Sequence, residues 1–331
     1  MGQQETIISL EQLLAPNKRI DTSFSVIFLK GDLAYKLKRE VKTPFLDYST
    51  LEKRRRLCER EFEINSRHSP ELYRGVMTVR GGNGSIGLWR SDDTPTEEAA
   101  EYLLEMNRFD EEQLLSRLAA RGLLTEELCG AVAAKVARMH GAAPVVESTG
   151  YAEKFLQVVN IIIAQFRAAA TGMVPEDSLD EIPRKLQSAF DICRGVLSAR
   201  GSAGTIRECH GDLHLGNICL YKGAPCIFDA VEFNTEFTHI DTLYDLSFLI
   251  MDLHHHGLPK LAEQVSAGYL AGTNTPQADY AAVMPLYLGL RAVIRCSISA
   301  GSAAGSQSPE SAAALRREAL RYLDEARTFL S

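Results

Sequence analysis

The stretch that most constrains this chain is Glu208-Cys209-His210-Gly211-Asp212-Leu213-His214-Leu215-Gly216-Asn217, followed by Ile227-Phe228-Asp229. A carboxylate, an amide five residues on and a second carboxylate have the spacing of a phosphoryl-transfer site. Asp212 would serve the attacking hydroxyl as base, and Asn217 and Asp229 would offer oxygen ligands to magnesium. Apolar residues (Ile218, Leu220, Ile227, Phe228) flank the turn-rich Tyr221-Lys222-Gly223-Ala224-Pro225. That pattern predicts a short hairpin holding Asn217 at one end and Asp229 at the other.

These residues resemble the aminoglycoside phosphotransferase family, whose catalytic loop reads His-Gly-Asp-x-His-x-x-Asn and which belongs to the wider class of protein-kinase-like folds. The resemblance implies an α+β bilobal fold with a small β-sheet-plus-helix lobe over residues 1–104. A hinge over 105–110 and a larger helical lobe over 111–331, carrying the catalytic segment 208–229, complete it. It also implies ATP and magnesium as cofactors, Asp212 and His210 as catalytic residues, and Asn217 and Asp229 as metal ligands. The reaction implied is phosphoryl transfer to a hydroxyl of a small molecule. Where protein kinases carry Asp-Phe-Gly, this chain has Asp229-Ala230-Val231. That departure and the lack of a glycine-rich phosphate loop keep a second reading open, a pseudokinase that binds nucleotide as a regulatory module. The intact Asp212, Asn217 and Asp229 oppose it.

The net charge of −7 argues against a nucleic-acid binder, which is usually basic. Seven cysteines without a Cys-x-x-Cys pair indicate reduced thiols and a cytoplasmic setting. No apolar run reads as a membrane span, and the myristoylation-like Met1-Gly2-Gln3-Gln4-Glu5-Thr6 lacks an adjoining basic cluster. A second domain is not expected: a branch of the family with a similar Cys58–Tyr73 region is often fused to a P-loop ATPase-like domain, but no Gly-x4-Gly-Lys-Ser/Thr motif occurs here.

In the first lobe, residues 25–30 and 33–38 read as strands joined by Gly31-Asp32. Lys36 and Lys38 share a face of the second strand. Lys36 is the first choice, and Lys38 the second, for the lysine that pairs with nucleotide phosphates. Thr22-Ser23-Phe24-Ser25 stands where the glycine loop would be, so its hydroxyl and backbone groups, Ser25 among them, are expected to cover the phosphates. Ser49-Thr50-Leu51-Glu52 reads as a capping box opening a helix with the stripe Leu51, Arg55, Cys58, Phe62. Glu59 and Glu61 flank that stripe; Glu61 is preferred as the partner of Lys36, with Glu59 the alternative. Lys53-Arg54-Arg55-Arg56 reads as a solvated face. Strands over 75–80 and 85–89, turned at Gly81-Gly82-Asn83-Gly84, precede a last strand over 102–106. By position alone, Glu105 and Met106 fall at the adenine-binding hinge.

From residue 110 the pattern is helical. Thr125 caps one helix, near whose end His140 reads as a packed histidine. Residues 171–183 read as a loop, and 300–309 as a flexible joint before a terminal helix. The resemblance assigns Asp245 to accepting hydrogen bonds from the catalytic loop. His254-His255-His256 reads as a polar helix end rather than a metal site, because helical zinc ligands favour i, i+4 spacing. Arg291 and Arg295, one turn apart on a helix following Pro285, face substrate or solvent. Only residues 230–240 separate Asp229 from the next helix, and no Ala-Pro-Glu follows. That is too short for a peptide platform, hence a small acceptor. Glu232, Glu236 and Asp241 would favour a neutral or cationic one.

Overall fold

An amphipathic segment opens the chain as α1 (Gln3–Leu14), burying Ile7, Leu10 and Leu14. The period-2 apolar runs then form β1 (Lys18–Asp21), β2 (Ser25–Lys30) and β3 (Leu33–Lys38), followed by α2 (Leu51–Ser66). Next come β4 (Tyr73–Gly82), β5 (Ser85–Arg90) and β6 (Ala99–Asn107), giving an antiparallel sheet ordered β1-β2-β3-β6-β4-β5. The computed structural model describes residues 2–82, 85–90 and 99–331. Asn83 and Gly84 of the expected turn, and Met1 of the lipidation-like pattern, lie outside them. The helix start differs by one residue from the sequence reading: Thr50 is the cap and accepts the Lys53 N–H, while Ser49 is tied to Asp47. The buried face is also rotated, to Arg54, Leu57, Cys58, Glu61, Ile64 and Asn65. Arg54 is therefore no surface residue. Its guanidinium pairs with buried Glu101 at 2.9 Å and donates to the Tyr48 carbonyl.

The remaining elements are α3 (Leu115–Ala120), α4 (Glu126–Ala142), α5 (Tyr151–Ala170), α6 (Ser178–Ser202), β7 (Ile206–Glu208), β8 (Ile218–Tyr221), β9 (Ala224–Ile227), α7 (Thr235–Thr238), β10 (His239–Asp241), α8 (Thr242–His255), α9 (Pro259–Ala271), α10 (Gln277–Gly305) and α11 (Pro309–Phe329). Thr125 caps α4 as expected, accepting the Leu128 N–H. Three boundaries differ from expectation. α6 begins at Ser178 with Pro183 inside it, α10 runs through Pro285, and the Gly/Ala/Ser segment stays helical to Gly305. Buried Leu286, Leu290, Ala300 and Ala303 hold α10 by packing where local propensity is weak. By length and hydropathy α10 could cross a membrane, which the sequence reading did not anticipate; just over half of that window is buried inside the protein.

Two compact units result: a sheet unit of Met1–Leu118 with Gly216–Thr238, and a helical unit of Ala119–Leu215 with His239–Ser331. The expected division at 104–110 therefore shifts, and the β8–β9 hairpin belongs to the sheet unit rather than the helical one. Its cysteines explain why, since Cys219 and Cys226 are buried in one apolar cluster with Leu72, Val76 and Leu104.

In the helical unit, α8, α10 and α5 meet through Phe155, Tyr244 and Tyr287, with ring centroids 5.1–5.3 Å apart. The histidine run at the end of α8 holds no metal-type cluster among the described residues. Instead His255 stacks on Tyr322 of α11 and bonds Glu325 and Glu318 at 2.9 and 2.6 Å. Burial works against its charge, but the two carboxylates outweigh burial and raise its pKa. A raised folded pKa stabilises the fold fully below the unfolded value of about 6.5, and that stabilisation is lost as pH rises through the folded value. Thermal melts should therefore show His255→Gln lagging wild type most at about pH 6, with the gap narrowing by about pH 9. A constant gap would mean the imidazolium contributes nothing.

Candidate active site

In the sheet unit, β3 sends Lys36 and Lys38 to the same side, where the carboxylate of Glu61 from α2 takes both. Lys36 Nζ donates to Glu61 Oε1 at 2.8 Å and to Asp229 Oδ1 at 2.5 Å. Lys38 Nζ donates to Glu61 Oε2 and to Glu232 Oε1, each at 2.5 Å. The Tyr48 hydroxyl also donates to Glu232. Glu59 turns away and pairs with Arg55 at 3.0 Å, so Glu61 is the partner. Burial opposes charge on both lysines, but Asp229 and Glu61 for Lys36, and Glu232 and Glu61 for Lys38, raise their pKa well above the ordinary lysine value. Burial likewise opposes the charge of Glu61, and the two ammonium groups bring its pKa down to about 2. The lysines differ in access. The Lys36 side chain is 15% exposed and that of Lys38 only 2%.

The hairpin sets the oxygen donors. Ile218 faces Ile227 in the β8–β9 register, and the Phe228 N–H donates to the Asn217 carbonyl, so Asn217 and Asp229 emerge at the open end. Asp229 adopts φ 63°, a left-handed conformation that short polar side chains tolerate. Its N–H donates to the Tyr73 hydroxyl, the Ala230 N–H to Asn65 Oδ1, and Ser69 Oγ bonds both backbone groups of Ile227. The Asp229 side chain remains 46% exposed and already attracts an ammonium. Hard oxygen donors on a pinned backbone, one of them open and cation-seeking, fit a magnesium ion.

In the helical unit, buried Asp245 organises the loop that carries Asp212. It accepts the His210 N–H at 3.0 Å, the Gly211 N–H at 2.8 Å and the His140 ring at 3.0 Å. Gly211, at φ 84°, makes the turn that brings two successive N–H groups onto one carboxylate. Nδ1 of the buried His210 ring accepts the Asp212 N–H, a supporting contact from behind the loop. Burial pushes the Asp212 carboxyl up, but a hydrogen bond from His214 and the charges of His214, His210 and Arg291 bring it down to about 2. Asp212 is thus an anion at neutral pH, with His214 Nε2 at 3.4 Å. An aspartate so placed can orient a hydroxyl and accept its proton once the oxygen has begun to bond.

Ser25 is buried in β2, and the Thr22 hydroxyl takes the N–H groups of Phe24 and Ser25, leaving Ser23 exposed at the tip of the turn. Glu105 and Met106 lie within β6, the strand expected over 102–106, paired on both sides to β3 and β4. The Glu105 carboxylate takes Arg74 and Arg90 at 3.2 and 3.3 Å, and Met106 packs with Ala34 and Leu104. Two of the three acids expected near the acceptor are engaged by basic side chains. Glu232 is neutralised by Lys38, and Asp241 is buried against Arg200 at 2.6 Å, leaving Glu236 exposed. Sequence reasoning missed Tyr48, Asn65, Ser69 and Tyr73, and placed Glu232 wrongly. Only Asn65 carried a usable signal, its i+4 spacing from Glu61, whose carbonyl it bonds at 2.9 Å.

Residues 89–286 match the family model described as "Phosphotransferase enzyme family". An uncharacterized protein of Mycobacterium tuberculosis is 30% identical over 283 residues, 84% of this chain and 53% of the relative. The chain thus spans about half the length of the curated relatives it matches. Among solved structures, a choline kinase from Cryptosporidium parvum aligns with TM-score 0.57 and 13% identity over 98% of this chain and 96% of the other. The GDP complex of an aminoglycoside 2'-phosphotransferase-IIIa aligns with TM-score 0.55 and 13% identity, over 99% of each. At such identities the likeness shows the fold: protein-kinase-like α+β, with a sheet-bearing part and a helical part.

Proposed function

This chain belongs to the phosphotransferase enzyme family (APH), and from that premise we propose that it is a magnesium-dependent kinase moving the γ-phosphoryl group of ATP to a hydroxyl of a small molecule. The observation that carries the reading is the chain of contacts Glu61–Lys36–Asp229, at 2.8 and 2.5 Å. It ties the lysine expected on the phosphates to the aspartate expected on the metal. Asn217 and Asp229 would hold magnesium, which when bound screens the phosphate charge. Lys36, fixed by Glu61, neutralises the nucleotide phosphates. Ile20, Ile27, Ala34, Met106 and Phe228 share one apolar cluster that suits a purine ring. Asp212 holds the acceptor hydroxyl. Its oxygen attacks the γ-phosphorus, the bond to the bridging oxygen breaks with ADP leaving, and the proton passes to Asp212. His210, Asp245 and His140 keep that carboxylate in place without touching the reacting atoms.

The short run from Asp229 to α8, taken up by α7 and β10, supports a small acceptor over a protein. Calorimetric titration tests the first half of the proposal. Wild type should bind ATP with a strong magnesium requirement, and Asp229→Ala should lose that requirement and at least about tenfold in affinity, since one charged oxygen ligand is worth 1.5–3 kcal/mol or so. Unchanged magnesium-dependent affinity in the variant would refute the ligand assignment.

A further inference from the structure

Two arginines of α10 are held by aromatic faces and neutral oxygens rather than by a carboxylate in direct contact among the described residues, although Asp252 and Asp212 act on Arg295, and Arg291 on Asp212 and Asp245, at longer range. Arg291 is 7% exposed; its guanidinium lies 4.0 Å over the Tyr244 ring and 4.9 Å from Phe248, and it donates to the Tyr244 carbonyl. Arg295, one helical turn on, lies 5.6 Å over the Tyr322 ring and donates to its hydroxyl at 3.4 Å. Two other buried arginines are closed by carboxylates, while Arg80, over the Trp89 ring at 5.5 Å, is not. Arg200 is closed by Asp241 at 2.6 and 2.7 Å, and Arg54 by Glu101 at 2.9 Å. Burying a guanidinium without a carboxylate in contact is costly, and aromatic faces and one carbonyl offset the cost only in part. A buried guanidinium of this kind, with a second, half-buried one a helical turn away, is suited to an anion brought by a ligand.

Their place in the helical unit says which ligand. Asp212 lies 3.4 Å from His214, the His214 ring meets Phe248 at 5.1 Å, and Phe248 is the ring that Arg291 covers. Asp212 also acts electrostatically on Arg295, as does Asp252, whose carboxylate is engaged by the Leu215 N–H at 2.9 Å. The groups assigned above to the nucleotide phosphates, Lys36 and the metal ligands, are all in the sheet unit. We propose that Arg295, backed by Arg291, forms an anion subsite beside Asp212, and that the hydroxyl acceptor itself carries a carboxylate or phosphate group. This rests on the kinase reading and narrows it, replacing the neutral or cationic acceptor that the sequence suggested. The planar guanidinium fork matches both anions bidentately.

The test splits the small-molecule fraction of a cell extract on an anion exchanger before the reaction, then offers each pool with γ-labelled ATP. Label should enter compounds of the retained pool and not those of the flow-through. For the retained acceptor, Arg295→Ala should raise KM by about 10–100-fold, the range of a charge-assisted contact, with kcat changed less. Arg295→Lys should recover part of the loss, which a merely structural arginine would not show. Calorimetry on the same preparations reads magnesium-ATP affinity, expected to be unchanged in both variants. Acceptor activity in the flow-through, or none in the retained pool, overturns the anion subsite. So does an Arg295→Ala variant whose defect is in ATP affinity, since the arginine would then serve the transferred phosphoryl group. Loss of ATP binding by the wild type would instead sink the kinase reading, so the two failures are distinguishable.

Discussion

Replacing Asp212 by Asn should cut kcat by about 10²–10⁴-fold, the usual contribution of a positioned general base, while magnesium-ATP affinity stays within about twofold. The substitution is nearly isosteric, and the loop is held by groups it leaves alone: the N–H bonds of His210 and Gly211 to Asp245, and that of Asp212 itself to the His210 ring. What it removes is the negative charge that orients a hydroxyl and the site for its proton. The carboxyl is held at about 2, chiefly by His214 against the pull of burial. Asp212 should therefore produce no acid limb in the pH–rate profile near neutrality, and any limb there belongs to another group. Steady-state kinetics with a phosphorylated product identified by mass would settle the role, and retained turnover in Asp212→Asn would refute it. A wild type that binds nucleotide yet transfers nothing to any acceptor would favour a nucleotide-binding module instead.

The catalytic loop was legible because its chemistry is local in sequence. Five residues separate Asp212 from Asn217, and a hairpin whose apolar residues pair Ile218 with Ile227 fixes where Asp229 lies relative to Asn217. Strand alternation likewise put Lys36 and Lys38 on one face, and helical spacing brought a glutamate towards them. What could not be read is where a residue finds its partner through the fold. Glu232 was placed among the acids facing an acceptor because it falls in the short run that follows Asp229. Its partners, Lys38 and Tyr48, lie more than 180 residues away. Arg54 sat in a basic run, yet Glu101 drew it inside. β6 continues to Asn107 because β3 and β4 pair with it on both sides, and strand ends are set by neighbours as much as by composition.

The network around Glu61 makes the second large effect, and it separates two lysines that the sequence could not rank with certainty. Lys36 and Lys38 contribute two positive charges, and Glu61, Asp229 and Glu232 three negative ones. Removing Lys38 would leave Glu61 sharing one lysine with Asp229 and strand Glu232, whose side chain is 5% exposed, with only a tyrosine hydroxyl. Breaking a buried pair from one side costs about 3–5 kcal/mol, because the surviving charge keeps its desolvation penalty. Lys38→Met should therefore lower unfolding free energy by about that amount. Adding Glu232→Gln should recover a substantial part, since the stranded carboxylate is then gone. Lys36 behaves oppositely. It is less enclosed, and Asp229 can exchange its ammonium for solvent or a metal ion, so Lys36→Met should spare stability to within about 1 kcal/mol while cutting turnover. Denaturant unfolding of the two single variants and the Lys38→Met/Glu232→Gln double variant closes the cycle. Equal losses for both lysines, or a double variant no better than Lys38→Met alone, would show that Glu232 is not what holds Lys38. If instead Lys38→Met were stable and inactive, Lys38 would be the phosphate lysine and Lys36 its support.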